Sequence, residues 1–203
     1  MSPTRGTPSP LHTPPSMSTQ LQSRTLAILA TDGFEQSELM QPKADLEAAG
    51  ATVHIVSLKD GEIKGWDQDD WGQSVAVDKT VSEATVSDYD ALVLPGGQIN
   101  PDLLRADADA VAFVKAFAEA GMPIAAVCHA PWVVIEAGLA EGRDMTSYTS
   151  IRTDLKNAGA TVHDKEVVVC QNGPFTLITS RKPEDLDAFG KAIIETVASM
   201  EAA

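Results

Sequence analysis

The sequence predicts one α/β domain built on a single doubly wound, mostly parallel sheet with helices on both faces. Three observations predict it. Short, fully apolar runs at 26–30, Ala91–Leu94 and Ile124–Val127 read as strands buried on both faces, the habit of parallel sheets. Helical periodicity fills the intervals between them, so strands and helices alternate along the chain. The chain has 203 residues, enough for one domain with a sizeable core, and shows no internal repeat.

Taken in order, residues 1–23 are rich in Pro, Ser and Thr and carry no acidic residue. No apolar stretch follows Arg5, so this is no secretory signal, and a disordered tail is expected, with Met17 as an alternative start. The folded domain is expected over 24–203. Residues 26–30 form the first strand and 35–49 a helix ended by Gly50. Residues 52–58 form a second strand. The Gly- and Trp-containing stretch 61–77 reads as a β-hairpin. Ala91–Leu94 is a strand closed by Pro95-Gly96-Gly97, and 101–120 is one long helix with Val111, Val114 and Phe117 on one face. After Ile124–Val127 comes Cys128, then a helix opened by Pro131. Residues 150–158 form a short helix, 166–170 and 175–179 a strand pair around Asn172-Gly173, and 183–200 the closing helix.

In a doubly wound sheet the site lies beyond the carboxyl ends of the strands. Three loops should meet there: 31–38, 95–100, and Cys128-His129. Cys128 sits at a sharp strand-to-helix turn, the geometry of a nucleophile elbow with a thiol in place of a hydroxyl. Unpaired N–H groups at a helix start favour a thiolate, so a low-pKa, reactive thiol is expected. Cys170, in a Val-Val-Val strand, reads as core.

The formal charge is −14, with 29 acidic against 15 basic side chains. That argues against nucleic acid or an anionic membrane as partner. No run approaches eighteen apolar residues, so no membrane span is expected. Two cysteines and no signal peptide point to a reducing cytoplasm. His12, His54, His129 and His163 are scattered, with no P-loop and no dinucleotide fingerprint, so neither metal nor cofactor is expected.

These landmarks carry a resemblance. D-G-F-E-Q-S-E-L (32–39), A-L-V-L-P-G-G (91–97), A-V-C-H-A-P (126–131), G-R-D-M-T-S-Y (142–148), N-A-G-A (157–160) and T-S-R-K-P-E-D-L (179–186) occur in order. Together they resemble the ThiJ/PfpI superfamily, closest to its PfpI-type intracellular peptidase and deglycase branch. The resemblance runs from about residue 25 to the C-terminus. It implies a flavodoxin-like, class I glutamine amidotransferase-like fold. It also implies that Cys128 is the nucleophile and that Glu38 is the acid touching its sulfur. His129 would be the general base, and Asp102 an acid reaching His129 from a neighbouring subunit. Gly97 and His129 would offer oxyanion-hole N–H groups, with Gly96 allowing close approach. Glu35 is either the cap of the first helix or a pocket residue, and Trp132 either walls the pocket or belongs to the core. For Asp102 and Glu38 the plain alternative is a helix first-turn acid. Ala130 stands where the family mostly has Gly. The late His-x-Glu pair of the amidotransferases is missing at His163, which argues against a glutaminase.

Two classes of function follow. The first is a stress-related cysteine hydrolase or lyase acting on small carbonyl adducts (deglycase or glyoxalase-like) or on peptides, with an isonitrile-hydratase-like or amidase activity as a further enzymatic option. The second is a non-catalytic redox sensor or chaperone in which Cys128 is oxidised to a sulfinate. His129 favours the enzyme, since a sensor needs no general base. A homodimer or larger homo-oligomer with a composite site is expected.

Overall fold

The structure, a computed structural model, describes residues 20–200. At its centre lie seven strands: β1 (Thr25–Leu29), β2 (Thr52–Ser57), β3 (Lys79–Thr80), β4 (Ala91–Leu94), β5 (Ile124–Val127), β6 (Val167–Cys170) and β7 (Leu177–Ser180). Their order is β6-β7-β5-β4-β1-β2-β3, and every neighbouring pair is parallel except β6 with β7. Every residue of β4, β5 and β7 is buried, and β4 and β5 accordingly read as apolar runs rather than as alternation. The chain leaves β1 in one direction through β2 and β3, then returns to the other side through β4 and β5. The switch point therefore falls between β1 and β4, and a crevice opens there.

Side chains alternate between the two faces of the sheet. Leu26, Ile28 and Val93 pack under α1 (Gln36–Ala48) and α6 (Leu186–Ala198) through Leu39, Leu46, Phe189, Ile193 and Val197. Ala27, Leu29, Leu92 and Leu94 pack on the opposite face with Phe113, Val114, Phe117 and Val133. Each large apolar side chain removed from water contributes about 1.5–3 kcal/mol, so these two layers dominate the folding free energy.

The hairpin forms as expected, from Glu62–Asp67 and Asp70–Ala76, and adds a pairing that the sequence did not reveal. Phe34–Glu35 runs parallel to Glu62–Asp67, with Glu35 opposite Trp66. Gly65 leaves room for the Phe34 ring, whose carbons would lie 3.0–3.1 Å from any Cβ there. Two short parallel strands, Asp144–Met145 and Thr161–Val162, were also unforeseen.

Three expectations need correction. The single helix at 101–120 is two helices, α2 (Ile99–Ala106) and α3 (Ala108–Glu119). Asp107 breaks it with extended backbone, and its carboxylate accepts from the N–H groups of Asp109 (3.0 Å) and Ala110 (2.9 Å). A capping Asp competes for the backbone and so stops one helix and starts the next. The helix at 150–158 is a 3₁₀ turn, Thr149–Ile151, followed by α5 (Arg152–Asn157). The tail is shorter than 1–23. Leu21 is fully buried, and its N–H donates to the Ala49 carbonyl at 2.9 Å, so residues 20–23 belong to the domain. The remainder of the expected tail, 1–19, lies outside the described residues.

Candidate active site

The loops after β1, β4 and β5 do converge. Asn100, fully buried, ties two of them together. Its Oδ1 accepts from Thr31 N–H at 2.8 Å, while its Nδ2 donates to the carbonyls of Pro95 (2.8 Å) and Gly96 (3.0 Å). At the end of β5 the chain turns on Cys128, which has φ 63°. A residue with a Cβ pays about 1–2 kcal/mol for that left-handed conformation, so its neighbours must hold it. Cys128 N–H donates to the Ser180 carbonyl at 3.1 Å, and Tyr148 N–H donates to the Cys128 carbonyl at 2.9 Å. The turn directs the thiol into the crevice. The first residue of the following helix, α4 (Pro131–Glu136), comes three positions later, and buried Ala130 fits at its N-cap. The N–H groups that approach the sulfur are instead those of Gly97 and His129, the two expected to hold an oxyanion.

Glu38 lies in the first turn of α1 with no exposed surface. Its Oε2 accepts from Gly96 N–H at 2.9 Å, and the carboxyl faces the Cys128 thiol. Burial, the largest influence, pushes its pKa up to about 8. At neutral pH Glu38 is therefore mostly a neutral hydrogen-bond donor beside the sulfur. Gly96 makes this approach possible. A Cβ there would fall 2.5 Å from Glu38 Oε2, 2.7 Å from Cys128 Cβ and 2.8 Å from the Val127 carbonyl. Gly97, with φ 78°, lies equally tight against the loop after β1, 2.5 Å from the Gly33 carbonyl if it carried a Cβ.

His129 is also buried. Adjacent residues in a turn seldom face each other, yet here Nδ1 lies 3.1 Å from Cys128 Sγ. Its Nε2 lies 3.1 Å from Ser150 Oγ, and its ring stacks on Tyr148 at 4.8 Å and 27°. Burial lowers the His129 pKa, which keeps the imidazole neutral and able to accept a proton. The same burial, reinforced by any charge on Glu38, pushes the Cys128 thiol up. This corrects the expectation of a standing low-pKa thiolate. The site holds a thiol with an imidazole nitrogen at hydrogen-bond distance, a geometry in which the S–H proton can pass to the ring.

The pocket over Cys128 measures about 440 Å³. Glu35 lines it, half-buried and with its pKa raised by burial. Glu35 occupies the N-cap position of α1, but its side chain makes no cap bond and turns to the pocket. Trp132 does not line the pocket. Its indole N–H donates to Asp154 at 2.8 Å, and its ring meets the His129 ring from outside at 5.2 Å. The aromatic walls are Trp66 and Tyr148. Asp102 is exposed in the first turn of α2 and is not a partner of His129 within the chain; Ser150 takes that place. A cavity of about 510 Å³ between α1 and α6 contains neither thiol nor imidazole and lies away from this chemistry.

Ser150, Tyr148, Trp66 and Asn100 were not singled out from sequence. Only the motif ending in Tyr148 marked its neighbourhood; Trp66 arrives through the unforeseen pairing of the hairpin with residues 34–35.

The chain is 41% identical over 179 residues to general stress protein 18 of Bacillus subtilis (strain 168), covering 88% of this chain and 98% of the relative. It is 41% identical over 170 residues to protein/nucleic acid deglycase 2 of Escherichia coli (strain K12), covering 83% and 95%. Among solved structures it superposes on a two-domain protein with DJ-1/ThiJ/PfpI-like and ferritin-like domains from Anabaena variabilis ATCC 29413. That match has a TM-score of 0.79 and 35% identity, and covers 89% of this chain and 52% of that chain, so the chain spans about half of that longer protein. Residues 24–196 match the model of the DJ-1/PfpI family, and this chain belongs to that family.

Proposed function

We propose that this chain is a cysteine-dependent hydrolase or lyase that removes small carbonyl adducts, of deglycase or glyoxalase-like type. The observation that carries this is the 3.1 Å approach of His129 Nδ1 to the Cys128 thiol inside an open pocket. A stress protein and a deglycase among the relatives support the reading. In the proposed first step the S–H proton passes to Nδ1, and the sulfur electron pair forms a bond to the carbonyl carbon. The carbonyl π pair moves to oxygen, where the N–H groups of Gly97 and His129 receive it. Glu38, neutral at this pH, passes its proton to that oxygen and takes it back when the carbonyl re-forms.

The test is turnover of methylglyoxal and of its Cys, Lys and Arg adducts, beside casein and a peptidyl-coumarin panel, for wild type and Cys128→Ala. Turnover of a carbonyl substrate that falls about 10³-fold or more in Cys128→Ala supports the proposal. Turnover of casein or peptides alone would make the chain a peptidase, and no turnover on any arm would favour a redox sensor.

We infer in addition that the chain works as a homo-oligomer in which Asp102 reaches the site of a neighbouring copy. Asp102 is exposed between Ile99 and Leu103, apolar side chains that are 40% and 44% exposed. Asp102→Asn should lower turnover about tenfold, and mixing it with Cys128→Ala should restore part of the activity through hybrid sites. Full activity from a species that light scattering shows to be a monomer would contradict the composite site.

A further inference from the structure

We propose that Ser150 is a positioning residue: its hydroxyl holds the Nε2 side of His129, so that the Nδ1 lone pair faces the Cys128 thiol. The inference rests on the reading of Cys128 and His129 as nucleophile and base. A neutral imidazole has one N–H and one lone pair, and only one of its two tautomers can take a proton from the thiol. Ser150 Oγ lies 3.1 Å from Nε2 and can accept from an N–H there. When it does, Nδ1 is left bare, 3.1 Å from Sγ. Tyr148 fixes the plane of the ring by stacking at 27°, so the tautomer is the remaining freedom.

The placement of Ser150 is tied to the nucleophile itself. Tyr148 N–H donates to the Cys128 carbonyl at 2.9 Å, and Ile151 N–H donates to the Tyr148 carbonyl at 3.2 Å. The turn that carries Ser150 therefore moves with the elbow. When the S–H proton passes to Nδ1, the imidazolium keeps its Nε2–H, and Ser150 accepts from it as before. One hydroxyl thus serves both protonation states without rotating. The ionisable groups around the ring are the Cys128 thiol with Glu38 behind it, Glu35 across the pocket and the stacked Tyr148 phenol. On the Trp132 side they are Asp154 and Arg105. None of these meets Nε2 directly. A carboxylate from a neighbouring copy would then add charge to a histidine that is already oriented.

The test compares wild type, Ser150→Ala and Ser150→Thr in ¹⁵N-histidine-labelled protein, together with the pH profile of Cys128 alkylation by iodoacetamide. Wild type should show a single His129 tautomer with the proton on Nε2. Ser150→Ala should lose that single tautomer, alkylate about fivefold more slowly at neutral pH, the size of one neutral hydrogen bond, and show its profile displaced upward. Ser150→Thr, which keeps the hydroxyl, should restore both readouts. A wild-type tautomer and profile in Ser150→Ala would mean that solvent replaces the hydroxyl and would overturn the proposal, as would failure of Ser150→Thr to rescue. Neither readout involves a carbonyl substrate. Absence of turnover in wild type would therefore defeat the proposed function and leave this inference to stand or fall on its own data.

Discussion

Glu38→Gln is expected to raise stability in alkaline solution while lowering turnover. The folded-state pKa of Glu38, about 8, is raised above the ordinary 4.5 by burial. The native state therefore binds this proton more tightly than the unfolded chain does. Its contribution is complete below about pH 4.5 and is lost as pH rises through about 8. A glutamine titrates nowhere in this range, and its amide can still donate to the sulfur and accept from Gly96 N–H. At pH 9 the variant should be more stable than wild type by on the order of 3 kcal/mol, roughly 5–10 °C in Tm, and the two curves should meet near pH 4. Turnover should fall about 10²-fold, because an amide carries no transferable proton. Thermal melts at the two pH values check the first part and steady-state rates the second. Coincident melting curves at pH 9 would show that the carboxyl is not held neutral.

Gly96→Ala is expected to destabilise the fold and the site together. The new Cβ would meet Glu38 Oε2 at 2.5 Å, Cys128 Cβ at 2.7 Å and the Val127 carbonyl at 2.8 Å. The carboxyl alone could swing away. The carbonyl belongs to β5 and the Cβ to a residue already held at φ 63°, so neither yields easily. The cost should be about 2–4 kcal/mol, measured by denaturant unfolding, with turnover reduced at least tenfold because Glu38 and Cys128 are forced apart. Wild-type stability and rate in this variant would mean that the three loops are less closely packed than described.

The central sheet was legible because its strands are buried on both faces, which leaves an unbroken apolar signature at Ala91–Leu94 and Ile124–Val127. The tight turn at Cys128 was legible for the same reason, since Cys128 follows such a run at once. Asp107 carried a capping signal, but helical periodicity on both sides of it outweighed one residue, and two helices were read as one. Leu21 was lost within a Pro/Ser/Thr-rich context, because a single apolar residue has no periodicity to reveal its burial. Ser150 and Trp66 could not be placed from sequence. Each reaches the site through a contact between segments far apart in the chain, Tyr148 with Cys128 and Trp66 with Glu35, and local pattern carries no register for such contacts.

Whether Cys128 is the reacting group is tested most directly by site-resolved iodoacetamide labelling of the native protein, followed by peptide mass spectrometry. Both thiols are buried, but Cys128 lines the pocket with His129 at its sulfur, whereas Cys170 closes β6 and accepts from Asp144 N–H at 3.3 Å. Cys128 should label at least about tenfold faster than Cys170 near neutral pH, a preference that unfolding in denaturant abolishes. Equal labelling of the two cysteines in the folded chain, or faster labelling of Cys170, would contradict the assignment of Cys128 as the nucleophile.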